Sequence, residues 1–399
     1  MRFVVVAVTL FACRGEPHAG AGSGSGSSVV QAPLVPRVLA SEDGVAEMKI
    51  LDREIEISRG EAIRHVPFLM TRASFRGRLE DYQAAVEETA HWVETVTPPN
   101  DQVAWEMRTR ALAAVHDFAA ARAALEEVKK RSRDPSTWAD LATSLDEAAG
   151  PRTRSIAARS EAARTHPTAT TLALYAASLA FQGRFDDAIA QIPRANSALR
   201  DNLPETVAWL LFQWGRLYEQ KGDLAAARAF YQEAHARLPS YVEANAHLAQ
   251  TLIATGDSAA AKAVVTSALV ADRHPALLEL AAQLGLGSVD DARAAWERYV
   301  TALPMAFSDH AARYYLGVGR DPKRALELAR ANLANRDVPE ARELVIQAAL
   351  AAGDPPTACE VATGLTDAPL RAHRFAAWQA FSRCGRTAEA ARLARDLGI

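Results

Sequence analysis

The residues of this chain that could do chemistry are few and scattered: three cysteines, ten histidines and a handful of adjacent acids among 399 residues. Glu243 and His247 lie four apart, so a helix would bring both to one face within reach of a single metal ion. Catalytic zinc sites take three protein ligands and structural ones four, so two do not make a site, and a solvated pair on a helix face is the plainer reading. Asp186-Asp187 and Asp290-Asp291 resemble paired carboxylates, yet each opens a helical pattern just after a turn. There, acids satisfy free backbone amides and the positive end of the helix dipole. A Gly-rich phosphate loop, a His-Glu-x-x-His helix, a Gly-x-Ser-x-Gly elbow and paired Cys-x-x-Cys motifs are all absent from the sequence. The sequence therefore predicts no catalytic residue, no metal site and no cofactor. A formal net charge of −3 leaves no basic footprint for nucleic acid.

The cysteines fall into two groups. Cys13 follows a minimal positive start, Met1-Arg2, and an apolar run from Phe3 to Ala12, the layout of an export signal. Ten residues are too few to span a bilayer as a helix, which takes about 20. Cys359 and Cys384 remain as an even pair, one on the second helix of a helix pair and the other late on the first helix of the next. They form either a disulfide or two buried thiols, according to their Cα separation.

The elements that position these residues are helices, and one stretch shows how they are built. In Ala208–Ser240 a first helix carries Leu211, Trp214, Gly215 and Tyr218, Gly222 and Asp223 turn the chain, and a second helix carries Ala227, Tyr231 and Ala234 before Pro239. Small residues stand where two helices must touch, and large ones fill the space around them. The pattern returns with a fixed period: Trp214 to Leu248, Gly222 to Gly256, Ala227 to Ala261 and Ala234 to Ala268 are each 34 residues apart. Upstream, Gly183 to Gly222 is 39, which predicts an enlarged loop near Arg200–Pro204. Pro193 lies inside a second helix and predicts a bend before Arg194. His116 stands where a turn glycine is preferred.

These residues resemble a tetratricopeptide repeat, whose 34-residue pattern runs large, large-Gly, large, Gly, Ala, aromatic, Ala, Pro. The resemblance implies an all-α, right-handed superhelical solenoid of antiparallel helix pairs. About ten pairs are expected over residues 63–399, clearest at 169–202, 208–241 and 242–275, with a capping helix over 41–62 whose Val45, Met48, Leu51 and Ile55 share one face. First helices line the concave surface in this family, and its ligand-facing positions fall here on Trp209, Phe212, Arg216, Glu219, Gln220, Glu243 and Gln250, with Ala246, Ile253 and Ala254 beside them. Trp209 has an alternative place, packed on the preceding loop. The Lys and Asn clamp of chaperone-binding members is missing, since Phe212 and Ala246 stand at its Lys position and Arg216 and Gln250 at its Asn position.

Leu10-Phe11-Ala12-Cys13 resembles the lipobox of bacterial lipoproteins, which implies cleavage behind Ala12 and an acyl anchor on Cys13. Arg14, not Asp, follows the cysteine, which in that family favours an outer-membrane lipoprotein facing the periplasm; ordinary secretion is the alternative. Residues 14–40, rich in Gly, Ser and Pro, read as a disordered tether with a root-mean-square reach of roughly 28 Å. The function expected is a non-catalytic envelope scaffold holding a protein or peptide in its groove. The alternatives are an assembly factor for an outer-membrane or pilus-type complex, and an enzyme-associated or cofactor-carrying helical domain.

Overall fold

The computed structural model describes residues 44–98, 101–150, 152–200 and 203–399. The expected export signal (1–13), the candidate lipidated Cys13 and the expected tether (14–40) lie outside the described residues. The chain is an all-α solenoid, with no strand among the described residues. After a lead-in helix α1 (Gly44–Ile57) come α2 (Ala62–Arg76) and α3 (Leu79–Thr95), α4 (Asp101–Ala114) and α5 (Phe118–Arg131), then α6 (Ala139–Ala149) and α7 (Arg152–Thr165). The fourth pair is α8 (Ala169–Ala180) with a second helix broken into α9 (Phe185–Ile189) and α10 (Ile192–Ala198). The fifth and sixth are α11 (Pro204–Lys221) with α12 (Leu224–Arg237) and α13 (Val242–Ala254) with α14 (Ser258–Ala271). Four more follow: α15 (Pro275–Gln283) and α16 (Val289–Ala302), α17 (Pro304–Leu316) and α18 (Pro322–Asn335), α19 (Pro339–Ala351) and α20 (Pro355–Ala362), α21 (Arg371–Cys384) and α22 (Thr387–Leu397). Ten pairs result, each packed on its neighbours.

One local device recurs at the turn inside a pair. A residue in the left-handed region ends the first helix, and an aspartate directly after it caps the second. Gly222, Gly256 and Gly353 have φ of 91°, 82° and 75°, and Asp223, Asp257 and Asp354 accept from the amides of Ala226, Ala260 and Thr357. Where glycine is missing, the conformation persists: His116 (φ 57°) precedes the cap Asp117, and Arg320 (φ 48°) precedes the cap Asp321. Each pair closes over small residues. A Cβ on Gly215 would sit 2.4 Å from the Tyr231 ring, and Ala227 and Ala234 are fully buried beneath it.

Several local features carry their own physical cause. α2 begins at Ala62 and carries Pro67 inside it, at the loss of the bond to Ile63. Pro304 starts α17, where its missing N–H costs nothing. Asp290 and Asp291 lie in the first turn of α16, but the cap is Ser288. In α1, Met48, Leu51 and Ile55 are buried with Gly44, whereas Val45 is exposed. The chain breaks between α9 and α10 ahead of Pro193, as its lost amide requires.

The solenoid also closes on itself. The turns inside the first four pairs dock in register on the junctions between later pairs. The first turn meets the sixth–seventh junction: Arg76 pairs with Asp272 and donates to Ala271 O at 2.9 Å, while Tyr299 Oη donates to Gly77 O at 3.1 Å. A Cβ on Gly77 would lie 2.6 Å from the His274 ring. The second turn meets α17 and α18. His116 Nδ1 donates to Met305 O at 3.2 Å, and Asn335 Nδ2 to His116 O at 2.9 Å. At the third, Arg152 clasps Glu340 through two bonds of 2.7 and 2.8 Å. At the fourth, Gly183 lies against Pro369 and Leu370. Leu79 and Val115, from the first two turns, are buried in the same apolar cluster as α16–α22. The N-terminal arm is thus stitched along the C-terminal arm.

Candidate functional site

The concave positions expected to meet a ligand lie on α11 and α13, and the structure divides them. Trp209, Phe212 and Arg216 are buried, at 4%, 2% and 5% exposure, so they do not line an open groove. The reason is the closed superhelix, in which apolar residues of α1, α2, α8 and α11–α13 form one core. Phe75 of α2 meets Tyr241 edge-on at 4.9 Å, and Tyr241 meets Phe212 at 5.1 Å. Phe212 also contacts the rings of Tyr231 and His247. Glu219 and Gln250 are half-buried, and Gln220 and Glu243 are exposed.

Glu219 has a structural employment that its sequence position did not suggest. Its Oε2 accepts from Tyr231 Oη at 2.6 Å and from His247 Nδ1 at 2.8 Å, joining α11 to both α12 and α13. Burial would raise its pKa, but the His247 charge and these two hydrogen bonds outweigh that and hold it below the usual carboxylate range. Burial, followed by the Glu219 charge, pushes the Tyr231 phenol well above its ordinary value. A phenol held protonated beside an ionised carboxylate serves as a donor and not as a base. His247 is turned to Glu219 instead of sharing a metal with Glu243, and no group of three metal-ligating side chains occurs among the described residues. A cavity of about 20 Å³ lined by Ala173, Phe181, Gln213, Trp214, Arg216 and Gln220 has room for one water, not for a peptide.

Cys359 and Cys384 are brought together on α20 and α21 as a disulfide, with Cα atoms 6.3 Å apart. The seam supplies further strongly perturbed ionisable groups, which sequence reading missed. Burial alone would raise the Glu340 carboxyl, but Arg152 with its paired hydrogen bonds, and then His373, lower it to about 2. Asp309 is lowered to about 2 in the same way, against burial, by His310, Arg336 and His116; Arg336 donates to it at 2.7 Å. His116 is driven down to about 3 by burial, with the Arg336 charge adding to it. The one signal in the sequence was His116 in a glycine's place.

Stacked helix pairs with glycine turns and small crossing residues define a helix-pair solenoid as the class. A family model described as tetratricopeptide repeat matches residues 218–284, which span the second half of the fifth pair, the sixth pair and the first helix of the seventh. No curated protein matches the chain. Among solved structures, the chain is similar to one in the APC/C hetero-tetramer Cut9–Hcn1, at 10% identity over 89% of this chain and 67% of that one, with a TM-score of 0.48. A tetratricopeptide repeat protein from Parabacteroides merdae matches at 14% identity over 71% and 91%, with a TM-score of 0.35. The human IFIT1 dimer with PPP-AAAA matches at 13% over 82% and 84%, with a TM-score of 0.46.

Proposed function

We propose that this chain is a non-catalytic scaffold that binds a protein or peptide partner and is tethered to a membrane through an acyl group on Cys13. The observation that carries the scaffold reading is the run of ten in-register helix pairs, with its repeat match centred on α12–α14. The expected contact positions left accessible on the clearest repeats are Gln220, Glu243 and Gln250, because Trp209, Phe212 and Arg216 are committed to the chain's own core. The tether rests on the order of charge, apolar run and cysteine at residues 1–13. No helix among the described residues is long and apolar enough to cross a membrane.

A photo-crosslinking amino acid placed at Gln220 or Gln250 in the native cell tests these positions. A discrete adduct is expected at these sites and not at Val270, which is 87% exposed but lies on α14, the second helix of its pair. Equal yields at all three positions would refute the assignment. Intact mass and fractionation of wild type against Cys13→Ser test the tether: an acyl adduct lost together with membrane association is expected, and an unprocessed chain beginning at Met1 would overturn it.

A further inference from the structure

We propose that the seam found within the chain is repeated between molecules, the free turn at α15–α16 of one copy docking on the α5–α6 junction of a second copy. The intrachain seam uses the turns of the first four pairs. The later turns form the same edge but have no occupant: a Cβ on Gly222, Gly256, Gly285, Gly353 or Gly385 would meet nothing within 4 Å. At the opposite end of the helix pairs, the α5–α6 junction is exposed at Arg133, Asp134 and Pro135, and Asp134 is engaged by Ser136. One molecule thus presents both halves of an interface it already uses internally.

Among these free turns, the one between α15 and α16 stands out chemically. Leu286 and Val289 are exposed at 44% and 38%. Val289 occupies the place in its pair that Leu79 occupies in the first pair, where the seam buries it to 3% exposure. Beside it, the Asp290 side chain is 85% exposed, with Arg293 at 3.3 Å, and Asp291 is also exposed. The α5–α6 junction offers matching groups: exposed Arg133 and Pro135 and half-buried Trp138, whose ring carries Lys129 at 5.0 Å. Acids then face a cation, and two aliphatic side chains face a proline and an indole. The seam's own ion pairs use both polarities: Arg76–Asp272 and Arg152–Glu340 run from an arginine of an early turn to an acid, and Glu80, beside Leu79, pairs with Arg298 of α16. Asp290 follows Val289 as Glu80 follows Leu79, so the free turn repeats an acid-beside-aliphatic arrangement that the seam already uses, with Arg133 in the place of the arginine.

The contact is heterologous, using two different patches, so it propagates head to tail instead of closing as a symmetric pair. Sedimentation velocity of the full chain carrying Cys13→Ser, which removes any acyl-driven association, reads it over about 1 to about 200 µM. The expected result is an average mass that climbs with concentration past two copies. Asp290→Arg with Asp291→Arg should raise the concentration needed for assembly by about tenfold or more, as should Arg133→Glu. All three positions are exposed, so thermal unfolding should be unchanged. An equimolar mixture of the two variants should assemble again, because each supplies the charge the other needs. A monomer throughout the range, a species that stops at two copies, or assembly indifferent to the swaps would overturn the proposal. None of these outcomes bears on the crosslinking at Gln220 and Gln250.

Discussion

Glu340→Gln is the sharpest probe of the closed solenoid, because its effect can be worked out twice. Glu340 is 5% exposed and receives both guanidinium nitrogens of Arg152, whose own side chain is 17% exposed. Breaking a buried ion pair from one side typically costs about 3–5 kcal/mol, since the remaining charge is left uncompensated. Independently, the carboxyl is held at about 2 against 4.5 for a free side chain, and at 1.36 kcal/mol per pH unit the gap amounts to about 3 kcal/mol. The folded value is the lower one, so this stability is fully present above pH 4.5 and is lost as pH falls from 4.5 towards 2. Global unfolding does not localise an effect to the seam of a repeat array, whose cooperativity can break down. Hydrogen exchange of amides at the starts of α7 and α19 reports the seam directly. At neutral pH the variant should exchange there about a hundredfold faster, while α13 and α14 change little. The difference between the two proteins should shrink as pH approaches 2. An acceleration below about tenfold, or one spread evenly over the chain, would refute the claim that Glu340 and Arg152 hold the arms together.

Other perturbations test other parts of the fold. Gly215→Ala should destabilise the fifth pair by about 1–3 kcal/mol, because the new methyl overlaps the Tyr231 ring; exchange at α11 and α12 measures it. Trp209→Ala should cost about 3–5 kcal/mol as a core truncation, read by thermal melting, and an unchanged melt would restore Trp209 to an open groove. Reducing the Cys359–Cys384 bridge, which closes a 25-residue separation, should destabilise α20–α21 by about 3.5 kcal/mol on the loop-entropy relation, seen as local exchange with and without reductant. His116 stays neutral down to about pH 3 in the fold but titrates near 6.5 when unfolded. Stability should therefore fall by about 1.4 kcal/mol for each pH unit below 6.5, down to about 3. His116→Gly, which suits the left-handed turn, should remove that part of the acid sensitivity in a pH series of melts.

The sequence showed what is local and hid what is distant. The Gly222-Asp223 turn, the Gly215–Tyr231 crossing and the break before Pro193 follow from a few adjacent residues, and each stands where its chemistry placed it. His116 was legible as a substitute turn residue for the same reason. The seam was not legible, since Arg76 and Asp272 are separated by 196 residues and Arg152 and Glu340 by 188, with no period linking them. Missing the seam produced the main error about the site: Trp209, Phe212 and Arg216 occupy concave positions, but a concave position is open only if the superhelix stays open. Glu219 was misjudged for a nearer cause. Its partners Tyr231 and His247 lie one and two helices away, a relation fixed by crossing geometry and invisible in the spacing.

The seam also sets the order in which the chain can be finished. An ordinary solenoid grows by laying each unit on the one before it, so contacts form about as fast as the polymer emerges. Here the first four pairs leave the ribosome with one edge bare, and the groups that cover Gly77 and Arg152 are synthesised 188 to 222 residues later. At translation rates of about 5–20 residues per second, that edge stays uncovered for roughly 10–40 s. During that interval the nascent N-terminal arm is a half-built wall, with Leu79, Val115 and an arginine in want of an acid still uncovered.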